Sequence, residues 1–360
     1  MSKPLQNSTK PQCPNEPASA LTALNILHAG PMTTLQDLGR QGGQHLGYCQ
    51  SGAADEYSYL WANKLLDNDI NCAALEICFG PFECEFEFDT LIAITGSMGK
   101  VQINQSFHDG WQSFLIKAGD RLKIHAPSNG IYTYLAIKQG FQLPAGEKMF
   151  FGSVAMVPRE QSGPFEGKKF ERLSFERLPF ESASKAPLYY GYSPPTRKKA
   201  QDFYSHKQQR RVPWQFIPNY ASTLELGLIL SYQSSQLSAE RIEHIFQDTY
   251  HLSADSNKMG ARLEGPEIKF DRQHLLSEGV AFGAVQIPAN GQPIILLKDR
   301  QTIGGYPKIG CICLLDAFRL SQSRPGQKIK FKPVELTHSY RELRQWQNFF
   351  GQTLGKGDSG

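Results

Sequence analysis

The sequence predicts a mainly β protein that contains two similar domains and a few short helices. The clearest sign is the segment 82–89, where phenylalanine and cysteine alternate with acidic residues, as in a strand with one buried and one exposed face. The 360 residues include 32 glycines and 22 prolines, which suits two hydrophobic cores joined by many turns. Segments 118–124 and 325–331 also resemble each other, because each is a glycine turn followed by an alternating strand. This internal similarity favours two related domains.

The remaining elements of the first half follow from the spacing of apolar residues. Asp55 is a suitable N-cap for a helix whose apolar residues fall at i, i+3, i+4 and i+8. Buried strands are predicted at 91–95, 121–125 and 131–137.

The second half is predicted to contain more strands and three helices. The first helix spans 238–250 with Ser238 as its cap, and Asp316 is expected to cap a short helix that ends before Arg324. Spacings of three and four between apolar residues predict an amphipathic helix over 336–350. Strands are predicted at 282–287, 294–298, 311–315 and 328–331.

These patterns divide the chain into five parts. They are a disordered tail at 1–20, a first β-domain at 21–150, a basic linker at 151–211, a second β-domain at 212–335, and a C-terminal helix and tail at 336–360. The net charge of +4 comes from residues 160–211, which hold 11 Lys and Arg against 6 Asp and Glu. We interpret this stretch as a solvated linker, with a patch for an anionic partner as the alternative. The nearly neutral remainder argues against a nucleic-acid partner.

Several classes of protein do not fit the sequence. No apolar run approaches the ~18 residues of a membrane span, and the polar N-terminus lacks the apolar region of a secretory signal. The seven cysteines show no zinc-like spacing, so we expect no metal site and reduced thiols in the cytoplasm. Cys49, in a polar glycine-rich loop, is the cysteine best placed to act as a nucleophile. P-loop, HExxH and GxSxG motifs are absent.

Two polar, glycine-bearing regions remain as candidate sites, one at 33–55 and one at 253–310. Glycines let the backbone approach a ligand closely, and arginine matches carboxylates or phosphates, although such segments can also be ordinary turns. Segment 299–310 contains more polar side chains than a turn needs, which favours function. His45 is either a general base or a hydrogen-bonded structural residue. Glu76 is interpreted as the buried partner of an arginine, with a site acid as the alternative.

The same regions carry a family resemblance. Segments 33–40, 51–55 and 73–77, followed by 259–266, 286–294 and 299–310, resemble the carboxyltransferase-related family that includes the C subunit of 5-oxoprolinase, allophanate hydrolase subunit 2 and KipA. The resemblance implies two related cyclophilin-like β-barrel domains in tandem. The chain departs from the family pattern in 39–42, 52–55 and 256–263, where Asn257 and Lys258 replace an Asp–Arg pair.

The resemblance implies the C subunit of a cytoplasmic, ATP-dependent 5-oxoprolinase, which would be inactive alone. Such an enzyme converts 5-oxo-L-proline to L-glutamate together with a KipI-like B subunit and a third component, the A subunit. ATP would bind at a shared site or on a partner, and no biotin would be attached to this chain. The alternatives are a urea or amide carboxyltransferase or allophanate hydrolase component, and a non-catalytic KipA-like regulator of a KipI-like kinase inhibitor.

The expected site follows from these matches. We expect Arg300, Lys308 and Arg262 to stabilise an anion, Asp299 or His45 to transfer protons, and other polar residues to orient a lactam or amide. The predicted catalytic residues are Asp299, Arg300, Lys308 and His45. The predicted substrate-binding residues are Arg262, Gln286, Gln301, Thr302, Tyr306, Arg40 and Asp55.

Overall fold

A computed structural model describes residues 21–141, 153–154, 172–176, 210–270 and 276–351. The predicted tail at 1–20 lies outside the described residues, and so does most of the predicted linker at 151–211. Within that linker, residues 172–176 form a strand. None of the helices in the described ranges is long and apolar enough to cross a membrane.

The first domain arranges its strands in two sheets that share one core. The six-stranded sheet has the order β11-β1-β4-β9-β6-β7, and the five-stranded sheet has the order β2-β3-β10-β5-β8. Apolar side chains from both sheets form a single buried cluster. The strands are β1 Leu21–His28, β2 Met32–Gln36, β3 Ala74–Cys78, β4 Phe82–Phe86, β5 Thr90–Gly96, β6 Val101–Ile103, β7 Ser106–His108, β8 Gln112–Ile116, β9 Arg121–Ile124, β10 Tyr132–Ile137 and β11 Arg172–Glu176.

The alternation predicted at 82–89 is confirmed in β4. Phe82, Cys84 and Phe86 are buried, because a strand directs successive side chains to opposite faces. The intervening Glu83 and Glu85 face outward, opposite Lys123 and Arg121 on the neighbouring strand β9.

The second domain is a closed seven-stranded barrel. Its strand order is β12-β19-β16-β17-β14-β13-β20, and closure leaves no free sheet edge in this ring. The short strands β15 and β18 pair with each other outside it. The strands are β12 Leu224–Leu230, β13 Tyr250–Leu252, β14 Gly260–Glu264, β15 Glu278–Gly279, β16 Ala284–Gln286, β17 Ile294–Leu296, β18 Ile303–Gly304, β19 Lys308–Ile312 and β20 Lys328–Pro333.

The two similar segments occupy comparable positions in the two domains. Gly119 and Gly326 adopt left-handed φ values of +90° and +82°, which a side chain would disfavour. Each glycine lies in the turn that precedes a strand, β9 in the first domain and β20 in the second. The mainly β architecture predicted from the sequence is therefore confirmed.

The helices are short except for the last one. They are α1 Glu56–Leu65, α2 Ala239–Gln247, α3 Leu314–Ser321 and α4 Leu336–Phe350, with 3-10 turns at Gln44–Leu46, Trp214–Phe216 and Tyr232–Gln236. The predicted caps of the first two are confirmed, because Asp55 accepts the Ser58 N–H and Ser238 accepts the Arg241 N–H. The amphipathic helix predicted at 336–350 is confirmed as α4, whose Trp346 and Phe350 are buried.

Two predictions for the second half were wrong in their boundaries. The helix predicted at 238–250 ends at Gln247, and Tyr250 begins strand β13 in the barrel core. The strand predicted at 311–315 ends at Ile312, and the next two leucines begin α3, because a short apolar run does not distinguish strand from helix. Asp316 lies inside α3 and accepts the Gly227 N–H, so it does not cap the helix.

Candidate functional site

A cavity of about 630 Å³ lies between the two domains. Its second-domain wall includes loops 253–259 and 297–301, which two backbone bonds join, from Leu297 N to Met259 O and from Asp299 N to Lys258 O. The first domain closes the other side, and the Ser51 N–H donates to Lys298 O across the boundary at 3.1 Å. The cavity therefore requires both domains.

A buried ion pair joins the domains at this cavity. Lys258 Nζ lies 2.9 Å from Glu76 Oε1, and both side chains are almost fully buried. Glu76 Oε2 also accepts the Ala54 N–H at 2.7 Å and the Tyr134 hydroxyl at 2.8 Å. Burial opposes the charged form of Lys258, but the carboxylates of Glu76 and then Asp299 outweigh it and raise the pKa of this lysine. Lys258 is therefore protonated, and the carboxylate of Glu76 compensates its charge.

A second ion pair has the same polarity, with the lysine on the second domain and the carboxylate on the first. Lys298 Nζ lies 2.6 Å from Glu56 Oε2, at the N-terminus of α1. The ammonium also lies 5.2 Å and 5.5 Å from the ring centroids of Phe282 and Phe318, which is favourable for a cation. Two of the cavity's cations are thus paired with carboxylates.

Arg300 differs from both lysines. Its side chain donates to the carbonyl oxygens of Val280 and Leu297 and to the Gln50 amide, at 3.2–3.5 Å. Within the described part of the chain, none of its hydrogen-bond or ion-pair partners is a carboxylate. The residue is 6% exposed and borders the cavity, and burial lowers its pKa from the usual arginine value. A buried guanidinium without a counter-charge suits a single anionic ligand group.

The structure brings three of the predicted site residues to this cavity, namely Asp299, Arg300 and Gln301. Asp299 supplies the one carboxylate among the described residues that border the cavity. The arrangement therefore offers one anion-binding group, one carboxylate that can exchange a proton, and the amides of Gln301 and Asn257.

Lys308, which we expected to stabilise an anion together with Arg300, lies outside the residues that line the cavity. It forms a short contact with Glu278, and its backbone N–H donates to Gln233 at 2.7 Å. Tyr306 is also outside the lining and 40% exposed. Lys308 is therefore paired with Glu278, away from Arg300 at the cavity.

Two other predicted residues lie apart from the cavity lining. His45 is exposed in the 3-10 turn Gln44–Leu46, although Gly47 borders the cavity. Arg262 is exposed on β14, whose buried residues Ala261 and Leu263 flank it. The alternation of a strand explains this position, since successive side chains take opposite faces.

The remaining predicted residues surround the site without bordering it. Arg40 is buried, with Nη1 3.9 Å from the Cys49 sulfur, and Thr302 O accepts the Val280 N–H. Gln286 is buried in β16, and its Nε2 has no hydrogen-bond partner among the described residues. Asp55 is buried at the N-terminus of α1, where burial raises the pKa of its carboxyl against the effect of several hydrogen bonds.

Sequence reasoning missed the two lysines that face the cavity. In the sequence, Lys258 stands out only as a departure from the family pattern, and Lys298 only as the end of a strand. A signal existed for Lys298, because a lysine directly after the apolar run 294–297 has to find a buried partner. Glu76 was correctly interpreted as a buried partner, but its cation is Lys258 and not an arginine.

Two cysteines border the cavity, and one of them is predicted to be inert. Burial raises the pKa of Cys78 to about 12, so at pH 8 only about one thiol in 10⁴ is ionised. We expect iodoacetamide to leave Cys78 unmodified in the folded chain at pH 8 and to modify it in urea. Peptide mass spectrometry checks this, and rapid modification of the folded chain would contradict it.

The described residues contain no group of three His, Cys, Asp or Glu side chains that could hold a metal ion. The charged groups that these residues bring to the cavity are instead two paired lysines, the arginine without a carboxylate partner, and Asp299.

The chain is similar to known proteins over most of its length. The family described as carboxyltransferase domain, subdomain A and B, matches residues 46–333. The C subunit of the Escherichia coli K12 5-oxoprolinase is 33% identical over 332 residues, which cover 91% of this chain and 97% of that protein. A urea amidolyase of Lachancea kluyveri is 25% identical over 93% of this chain but only 18% of that protein.

Solved structures show the same fold. The Kluyveromyces lactis urea carboxylase has a TM-score of 0.76 at 23% identity, covering 93% of this chain and 30% of that one. The protein TTHA0988 has a TM-score of 0.68 at 26% identity, covering 89% of this chain and 57% of that one. The extent of the family match and the 33% identity to a full-length relative lead to one conclusion: the chain belongs to the carboxyltransferase domain family that contains subdomains A and B.

Proposed function

We propose that this chain is the C subunit of an ATP-dependent 5-oxoprolinase, which converts 5-oxo-L-proline to L-glutamate. The observation that carries the proposal is Arg300, a buried cation at the cavity with no carboxylate partner among the described residues. The substrate is a lactam with one carboxylate, so its single charge matches this single cation. The two relatives named as C subunits of 5-oxoprolinase, at 33% and 27% identity, support the same reaction.

The cavity residues have distinct roles in this proposal. Arg300 binds the substrate carboxylate, and Gln301 orients the lactam amide. Asp299 accepts a proton from the water that attacks the carbonyl carbon, and the proton passes to the ring nitrogen as the C–N bond breaks. Lys258 and Lys298 fix the domain boundary through Glu76 and Glu56, so they shape the cavity without adding net charge.

The charge of the cavity also bears on ATP. Amide resonance makes a lactam difficult to hydrolyse, and phosphorylation of the carbonyl oxygen would activate it. A triphosphate needs several unpaired cations, whereas two of the three cations here are already neutralised. In this proposal ATP therefore binds on a partner, either the KipI-like B subunit or the A subunit. The chain alone is inactive, and the complete enzyme acts in the cytoplasm.

The test is glutamate formation from 5-oxoproline and ATP by the purified chain, with and without the other two subunits. We expect turnover only from the complete set. Full activity of the lone chain would contradict the proposal that the partners are required. No activity of the complete set would contradict the proposal that 5-oxoproline is the substrate.

The replacement Arg300→Leu tests the anion-binding role within that complex. We expect kcat/KM to fall at least about 30-fold, since a hydrogen bond between charged groups contributes about 2 kcal/mol or more. The matched control is Arg121→Leu, which removes an exposed arginine paired with Glu85 on the outer face of the first domain. Equal kinetic effects of the two substitutions would contradict the assignment.

A second candidate function is carboxyl transfer to urea or another amide. The urea amidolyase relatives and the fold shared with urea carboxylase favour it. Biotin would then arrive on a separate carrier. Carboxybiotin consumption with urea, in the absence of 5-oxoproline, would identify this reaction and exclude the first proposal.

A further inference from the structure

The two ends of the cavity differ in chemistry. At one end lie Arg300, Gln301 and the paired Lys298. Apolar side chains of both domains form what we call the apolar end, with Met32, Phe79 and Ile131 from the first and Leu252, Ala254 and Pro325 from the second. Backbone bonds from Phe79 to Ile131 and from Gly326 to Leu252, and the contact of Arg324 with the Phe79 ring, bring these residues together.

A continuous series of contacts runs from the charged end to the apolar end. Arg300 follows Asp299, whose N–H donates to Lys258 O, and Lys258 Nζ contacts Glu76. Glu76 lies in strand β3, which ends at Cys78 directly before Phe79. The Phe79 N–H then donates to Ile131 O at 2.9 Å. These contacts thus connect the loop of Arg300 to the wall that contains Phe79 and Ile131, and both border the cavity.

The apolar wall is held in a defined conformation. Phe79 has a left-handed backbone with φ of +58°, a strained conformation that is unusual for a bulky residue. Its ring lies 5.5 Å from the Arg324 guanidinium, which is itself bonded to the carbonyls of Gly130 and Pro127 at 2.7 Å. Contacts from both domains therefore keep this ring at the cavity although it is 40% exposed.

The volume is that of a site for a drug-sized ligand rather than for a single small ring. A cavity of about 630 Å³ lies well inside the range of roughly 300–1,000 Å³ for such ligands. A lactam carboxylate on Arg300 would leave the apolar end filled with water. Covering that end with an apolar group is favourable because it removes apolar surface from water.

We propose that the cavity binds an amphipathic monoanion, whose carboxylate contacts Arg300 and whose apolar body packs among Met32, Phe79, Ile131 and Leu252. This inference depends on the anion-binding role of Arg300 in the proposed function, and it extends the ligand class beyond 5-oxoproline. One negative charge is sufficient, because Lys258 and Lys298 already have carboxylate partners.

The experiment is calorimetric binding to the purified full chain, with 4-phenylbutyrate, its neutral amide 4-phenylbutyramide, and 5-oxoproline as probes. We expect 4-phenylbutyrate to bind at least tenfold more tightly than either of the others. Equal or weaker binding than 5-oxoproline, or equal binding of acid and amide, would overturn the proposal. Turnover by the complex is measured separately, so failure of the oxoprolinase proposal is distinguishable from failure here.

The replacement Ala254→Trp locates the apolar body. Ala254 is exposed at the cavity rim, so a larger side chain can be added without filling a packed core. We expect a tenfold or greater loss of 4-phenylbutyrate affinity and less than a twofold change for 5-oxoproline. The matched control Ala239→Trp, on exposed helix α2, should change neither. Unchanged 4-phenylbutyrate affinity in Ala254→Trp would overturn the assignment of the apolar end.

Discussion

Replacing Lys258 with methionine is expected to lower the free energy of unfolding by about 3–5 kcal/mol, because it leaves the Glu76 carboxylate buried without its counter-charge. Glu76 is 3% exposed, and its remaining contacts are the Ala54 N–H and the Tyr134 hydroxyl. Urea unfolding monitored by fluorescence measures the effect. The transition should also become less cooperative between the domains, since this pair joins them.

Two further substitutions make the Lys258 prediction specific. Lys269→Met removes a lysine of which 73% is exposed and which lies 3.5 Å from Glu267, so the expected loss is below about 1 kcal/mol. The double substitution Glu76→Gln with Lys258→Met should recover part of the lost stability, because no buried charge is then left unpaired. A Lys258→Met loss no greater than that of Lys269→Met would show that the buried pair is not important for docking.

Replacing Gln322 with leucine should lower the free energy of unfolding by a similar amount, at a second point of the domain boundary. This fully buried amide accepts the N–H groups of Ile131 and Tyr132 at 2.8 Å, and donates to Asp55 Oδ2 at 2.8 Å and Tyr132 O at 2.9 Å. Leucine removes a partner from each of these four groups of the first domain. Asp55 and Tyr132 O keep other donors, so the two N–H groups are the ones left unsatisfied. We expect a loss of about 2–6 kcal/mol, since each buried unsatisfied group costs about 1–3 kcal/mol.

The replacement Gln322→Glu adds a dependence on pH that the leucine variant lacks. The new carboxyl would lie beside Asp55, whose pKa burial already raises. Two adjacent carboxylates repel each other, so the pair has a raised pKa in the folded chain. Ionisation of both groups therefore destabilises the fold. The variant should be least stable near pH 7 and should regain stability as the pH falls through that raised pKa. Urea titrations at pH 5 and pH 7 check this, and identical pH responses of both variants would contradict it.

The local pattern of the chain predicted much of the fold, and the failures have a physical cause. The alternation at 82–89 and the cap at Asp55 act over a few residues, so they can be identified without knowledge of distant contacts. The error at 311–315 arose because a short apolar run is compatible with both strand and helix. In the folded chain, the helix places Phe318 against Phe282 and Trp346, contacts that the local sequence does not reveal.

The candidate site was only partly predictable. The sequence indicated segment 299–310 as one unit, and its first three residues do border the cavity. Lys308 does not, because strand β18 and the turn after it carry the chain to β19, where the lysine meets Glu278. Separation along the chain thus gave no measure of distance in space.

The mainly β class, the two related halves and the family resemblance follow from the sequence alone, and so does the prediction that Asp299 and Arg300 belong to one site. Which of the cations have a carboxylate partner is visible only in the tertiary structure. Glu76 lies 182 residues before Lys258, and Glu56 lies 242 residues before Lys298. Charge compensation depends on distances of a few ångströms between atoms, which form only when the two domains dock, whereas strand alternation depends on neighbours in the chain. Arg300 is therefore recognisable as the cation without a carboxylate partner only in the folded protein, among the residues that the structure describes.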